Sequence, residues 1–181
     1  MIRSNSIVIL QDTREKTPWN LLRFDGINAS SIQWKVTTKI CALNVGDYSL
    51  LDAPGIAIER KSLQDLVSTL ANIDNRRRFA QECLKRSLDR EINLTVIVEG
   101  LISDILAGHY HGNMHPHSIL MTCHLWTQRY GIPFVWCQNR KWAEEYAFML
   151  LRIYQQKWNE RKLGSVTKAN FNKVMKGKPC K

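Results

Sequence analysis

Residues 46 to 66 read GDYSLLDAPGIAIERKSLQDL, and the reading of this stretch decides the fold. Val45-Gly46-Asp47 is a turn into a strand at Tyr48–Leu51, and Asp52-Ala53-Pro54-Gly55 is a strong turn signal. Residues 56 to 60, IAIER, form the returning strand. A hairpin closed through that turn brings Asp47 beside Glu59. Glu59 and Lys61 are two residues apart, so in an extended strand they share one face, and Arg60 points to the other, where an ion pair is expected. Ser62 opens a helix with Asp65 three residues on, in the manner of a capping box.

Outward from this hairpin, residues 7–11 (IVILQ) form a buried strand ending at Asp12, and residues 32–41 form a second strand with Ile32, Trp34 and Val36 on one face. The strands at 32–41, 48–51 and 56–60 are expected to make an antiparallel meander. A short helix is expected over 18–24, with Pro18 in its first turn. Helices are expected at about 75–91, 118–130 and 141–162, with strands at 94–98 and 132–137. The order is α/β: a central mixed sheet flanked by helices. A single domain over 1–163 and a basic tail over 164–181, expected to be flexible, divide the chain.

The chain has 181 residues with a net charge of +10, which favours a polyanionic partner. Seven of those positive charges fall in residues 161–181, which hold no acid. The body is therefore only mildly basic. No apolar run is long enough to span a bilayer, and no signal-peptide core opens the chain. An intracellular location is expected: cytoplasmic in a prokaryote or virus, nuclear in a eukaryote. Cys41, Cys83, Cys123, Cys137 and Cys180 are odd in number and lack C-x-x-C spacing, so reduced, mostly buried thiols are expected.

Three acids and a lysine thus gather at strand ends: Asp12, Asp47, Glu59 and Lys61. Paired carboxylates at a sheet edge make a hard oxygen site suited to Mg²⁺, with Mn²⁺ able to substitute. A bound cation there would activate water and neutralise a phosphodiester, with Lys61 placing the water or stabilising developing charge. Arg76, Arg77 and Arg78 lie near a helix start, where the macrodipole disfavours cations; that misplacement suggests phosphate contact, and Gln81, about one turn on, can join it. His109, His111, His115 and His117 share a Gly- and Pro-containing loop. With no acid or Cys beside them, they are expected to contact DNA or simply to be polar, rather than to bind zinc.

The Gly46–Leu66 stretch resembles the signature of the XPF/Hef family of structure-specific nucleases, a branch of the PD-(D/E)XK superfamily. The family pattern is Gly-Asp, a spacer, Glu-Arg-Lys, three residues and Asp. Here it runs Gly46-Asp47, 11 residues, Glu59-Arg60-Lys61, three residues and Asp65. Upstream, Asp12-Thr13-Arg14-Glu15 is similar to the family's Asp-x-Arg-Glu. The resemblance implies a restriction-endonuclease-like core, with Asp47 and Glu59 as metal ligands and Lys61 as the catalytic lysine. It also implies Asp12 as an acidic partner near the metal, and Arg14, Glu15, Arg60 and Asp65 in support. The function so implied is metal-dependent endonucleolytic cleavage of branched or duplex/single-strand junction DNA, in repair or recombination. Only the basic residues 164–181 follow the last expected helix, with no hairpin Gly-x-Gly signal, so a form without the family's helix-hairpin-helix module is expected. The apolar face of the 141–162 helix (Ala143, Tyr146, Ala147, Leu150 and Tyr154) is expected to cover the chain's own sheet or else to form a homodimer; a homodimer or a partner protein would then supply substrate specificity. Two alternatives stay open: a catalytically silent nuclease-fold module that binds DNA or a partner, and a resolvase-like nuclease of the same superfamily.

Overall fold

The computed structural model describes residues 3–29, 32–88 and 92–176, with side chains over 5–27, 33–84 and 92–163. Seven strands form one sheet in the order β2-β3-β1-β4-β5-β6-β7. They are β1 (Arg3–Asp12), β2 (Asn28–Ala29), β3 (Ile32–Cys41), β4 (Tyr48–Leu50), β5 (Ile56–Ser62), β6 (Asn93–Glu99) and β7 (Phe134–Cys137). The helices are α1 (Leu63–Ala71), α2 (Ile73–Leu88), α3 (Ile102–Leu106), α4 (Pro116–Tyr130) and α5 (Arg140–Lys176).

The expected meander is corrected. β3 pairs with β1, in parallel from Arg3↔Ile32 to Asp12↔Cys41, and β1 separates it from β4. β4 is antiparallel to both β1 and β5, and β5, β6 and β7 run parallel. The sheet is therefore mixed, and the ends of β1, β5, β6 and β7 and the start of β4 meet at one edge. In open α/β sheets that carboxyl edge is where ligands bind.

Period-two alternation gives the sheet two apolar faces. Ile7, Ile9, Trp34, Val36, Ile56 and Ile58 pack on one side beneath Ala143, Ala147, Phe148 and Leu151 of α5. Ala57, Val96 and Val98 pack on the other against Leu66, Leu70, Phe79, Cys83, Ile119 and Trp126 of α1, α2 and α4. The apolar face of α5 thus covers the chain's own sheet: Ala143 and Ala147 are fully buried, and Tyr146, Leu150 and Tyr154 pack on the same core.

Other boundaries shift for local reasons. The helix expected over 18–24 is only a 3-10 turn at Leu21–Phe24. The carbonyls of Thr17 and Pro18 accept from Arg140 instead of closing helical bonds, and Trp19 stacks on Tyr48 with ring centroids 4.8 Å apart. Helix α2 starts at Ile73 because Asn72 Oδ1 accepts the N–H groups of Asp74 and Asn75. Helix α4 begins at Pro116, in the first-turn position that tolerates a missing N–H, and stops at left-handed Gly131. The five-residue α3 carries too little periodicity to be seen in sequence. Helix α5 runs past Lys162 to Lys176. Residues 177–181 of the expected tail lie outside the described residues. Among the described cysteines, Cys83, Cys123 and Cys137 are buried and Cys41 partly so, all four free; Cys180 lies outside them. Among the described residues no helix is long and apolar enough to cross a membrane.

Candidate active site

The hairpin register sets the centre. Tyr48 pairs with Ile58 and Ser49 with Ala57, so one step further places Asp47 opposite Glu59. The backbone N–H of Asp47 donates to Ile58 O at 2.7 Å, and its side-chain Oδ2 accepts the Arg60 N–H at 2.7 Å. The turn before it requires glycine. Gly46 has φ +63, and a Cβ there would stand 2.7 Å from Ile58 O. Gly46→Ala should therefore cost about 1–3 kcal/mol and push Asp47 off Glu59. Chemical denaturation beside a divalent-cation titration checks both effects.

A cleft of about 640 Å³ opens here. Asp47, Glu59 and Lys61 lie in it, Arg14 and Lys16 line one side, and Asn75, Arg78, Phe79 and Glu82 of α2 line the other. Lys61 Nζ is 2.8 Å from Glu59 Oε1 and 5.2 Å from the Phe79 ring centroid. Burial works against the Lys61 charge, but Glu59 and then Asp47 and Asp65 outweigh it and hold the ammonium above its ordinary range. Burial, followed by the nearby Glu59 charge, pushes the Asp47 carboxyl up to about 7. Two crowded carboxylates of this kind gain most from a cation between them. Among the described residues no three His, Cys, Asp or Glu side chains cluster so as to hold a metal ion. Two carboxylates with waters completing the shell suit Mg²⁺, which dehydrates reluctantly.

Asp12 stands elsewhere. Its Oδ1 accepts from Arg14 N and Nε, and its Oδ2 from Arg14 Nη2 and Leu43 N. Those bonds, the Arg14 guanidinium foremost, draw its carboxyl down to about 2. The side chain is buried and does not line the cleft, so Asp12, expected as an acidic partner near the metal, stands outside the cleft lining. It instead fixes Arg14, whose side chain is 72% exposed at the cleft rim. Asp65 also stays out of the cleft lining; its N–H donates to Ser62 Oγ, and its carboxylate accepts from that hydroxyl at 2.6 Å.

Arg60 points to the opposite face of the sheet, as alternation requires. Nε and Nη2 donate to the two oxygens of Glu99 at 2.8 and 2.9 Å, Nη1 donates to Thr17 Oγ1 at 2.7 Å, and Glu15 Oε1 lies 3.5 Å from Nη1. Glu99 Oε1 also accepts from Trp19 Nε1 at 2.6 Å. Sequence reasoning missed Glu99 and Trp19, because partners 39 and 80 residues away leave no local signal.

The basic run is split. Arg78 lines the cleft and donates to Asn75 Oδ1, whereas Arg76 reaches back to Leu70 O, and neither Arg77 nor Gln81 lines the cleft. With Phe79 buried, its flank carries positions 75, 78 and 82, so Asn75 and Glu82 take the places expected of Arg77 and Gln81. The buried Phe79 was the signal that could have set this phase. Lys16, Asn44 and Thr69 also line the cleft unanticipated. The His loop packs on α1: Gln64 donates to His111 O at 3.0 Å and accepts the His111 N–H at 2.9 Å.

Comparison with known proteins matches the ERCC4 domain family over residues 11–150. Two solved structures share the fold, both at 21% identity and a TM-score of 0.59. One is XPF from Aeropyrum pernix, covering 93% of this chain and 73% of that one. The other is XPF from Aeropyrum pernix in complex with DNA, covering 83% and 66%. No curated protein sequence matches. The restriction-endonuclease-like α/β core expected from the sequence is thereby borne out.

Proposed function

This chain belongs to the ERCC4 domain family, and from that membership and the cleft we propose that it is a DNA endonuclease requiring Mg²⁺ or Mn²⁺. The observation that carries the reading is Asp47 and Glu59 side by side in a cleft with Lys61, beneath a cationic rim. Asp47 and Glu59 would hold the cation, which when bound lowers the pKa of a water and neutralises charge on the phosphate. Lys61, charged and braced by Glu59 and Phe79, orients the attacking water or meets charge developing on the phosphoryl oxygens. Arg14, Lys16 and Arg78 are set to take flanking phosphates, contacts that position a strand without reading its bases. Recognition by shape follows, with branched or duplex/single-strand junction DNA as substrate, in repair or recombination. The solved homologue bound to DNA supports a DNA ligand. A silent module is disfavoured because both carboxylates and the lysine stand together in the cleft.

Labelled single-stranded, duplex, flap, fork and four-way-junction DNA should be offered with Mg²⁺, with Mn²⁺ and with EDTA. Cutting is expected with either cation and not with EDTA, and Lys61→Ala should slow it by about 10²-fold while leaving DNA binding intact. No cutting of any substrate, with binding retained, would favour the silent module.

A further inference from the structure

We propose that the uncovered half of the sheet, on the same face as Asp47 and Glu59, is a platform for the sugar-phosphate backbone of a duplex arm leading into the cleft. The inference rests on the nuclease reading above. Alternation puts Ala57, Glu59 and Lys61 on the face that α1, α2 and α4 cover. Among the described residues, the strand positions packed under those helices all lie on β5, β6 and β7. Ile7, Ile9, Trp34 and Val36 turn to the α5 side. Ser6, Val8 and Leu10 of β1 and Lys35, Thr37 and Lys39 of β3 therefore turn to the side of the active site. Neither core cluster takes in Val8 or Leu10, which are half-buried, and Ser6, Lys35, Thr37 and Lys39 are exposed.

Register ties this ground to the cleft. Lys39, Leu10, Ser49 and Ala57 stand in one row across β3, β1, β4 and β5, and Glu59 lies two residues beyond Ala57. Three strand spacings and two residue steps put Lys39 about 15 Å from Glu59. Two residues past Leu10, Asp12 anchors Arg14, which stands with Lys16 at the cleft rim. A line of cations thus runs outward from Arg14 and Lys16 to Lys39 and Lys35.

Chemistry selects the occupant. Lysine, serine and threonine contact phosphates, which positions a strand without reading its sequence. The only carboxylate on β1 and β3 is Asp12, which is buried and held by Arg14. Lys35 and Lys39 form no ion pair among the described residues. They are four residues apart, about 13 Å along the strand, or about four steps of a duplex at roughly 3.4 Å each. The one aromatic residue of β1 and β3, Trp34, is buried on the α5 side. The bases of a single strand thus find nothing on these two strands to stack on, whereas a duplex turns its backbone outward.

Fluorescence anisotropy of the full chain in EDTA, with a labelled fork and a labelled single strand of the same length, tests the platform. Lys35→Ala with Lys39→Ala should weaken fork binding by roughly tenfold and lower its salt slope by about 2, with single-strand binding changed by less than about twofold. The far-UV spectrum should not change. A fork affinity and salt slope equal to wild type would overturn the platform while leaving the cleft reading intact. An equal loss on both DNAs would overturn the assignment to a duplex arm. Wild type that binds neither DNA would remove the nuclease reading, and the platform with it.

Discussion

Asp47→Asn should abolish metal-dependent cleavage, by about 10³-fold or more, while making the metal-free protein more stable at pH 8. The two effects share one cause. The Asp47 carboxyl is pushed up to about 7 by burial and then by the neighbouring Glu59, against roughly 3.9 in an unfolded chain. A raised carboxyl pKa means that the folded state holds the proton more tightly. The stability this gives is fully present below about pH 4 and is lost as pH rises to about 7, above which the folded chain carries the whole cost of an ionised Asp47. Unscreened, that cost is about 4 kcal/mol; water reaching the partly buried side chain leaves about 1–2 kcal/mol. Asparagine cannot ionise, and its carbonyl can still accept the Arg60 N–H. Urea denaturation in EDTA should thus show no gain for the variant near pH 4 and a gain that grows to a plateau above pH 7. Mg²⁺ reverses the order: a ligand at about a hundred times its Kd adds about 2.7 kcal/mol to the protein that binds it. Wild type should overtake the variant as Mg²⁺ is added. A variant that is not stabilised at pH 8, or that responds to Mg²⁺ like wild type, would remove Asp47 from the metal site.

The centre of the cleft was legible because it is local. Glu59 and Lys61 share a face through strand alternation, and a short hairpin fixes Asp47 across from them. Arg60 falls on the opposite face for the same reason. What failed was partly non-local and partly a matter of local side-chain competition. Nothing in the alternation of residues 32–41 says that their partner is β1 rather than β4, since a parallel neighbour and an antiparallel one bury the same face. Asp12 has the chemistry of a ligand and sits at the right strand end, yet two residues on, Arg14 occupies most of its lone pairs. The α2 face depended on a boundary: Asn72 starts the helix at Ile73, and Phe79, once buried, carries Asn75, Arg78 and Glu82 rather than Arg77 and Gln81 to the cleft. For α5 the apolar face legible in the sequence could cover the chain's own sheet or another chain, and only the packed sheet decides between them.

Arg60→Ala should destabilise the fold by about 3–5 kcal/mol, the cost of removing one member of a buried ion pair. The Arg60 side chain is 8% exposed, Glu99 10% and Glu15 8%. Removing the guanidinium leaves the Glu99 carboxylate with only the Trp19 indole N–H among the described residues, and leaves Glu15 with Thr17. The loss should be read as a fall in melting temperature of roughly 2–4 °C per kcal/mol for a chain of this size. Arg60→Ala with Glu99→Ala should cost clearly less than the two singles summed, because the second change removes the stranded charge created by the first. The effect should also reach the cleft. Trp19 is held by Glu99 through its indole and donates its backbone N–H to Tyr48 Oη at 2.6 Å, and Tyr48 follows Asp47 in the chain. Cation affinity should therefore weaken in Arg60→Ala even at temperatures where the variant stays folded. An additive double variant would mean that Arg60 and Glu99 do not act as a pair. An unchanged cation affinity would confine the network to holding the sheet edge together, with no part in placing Asp47.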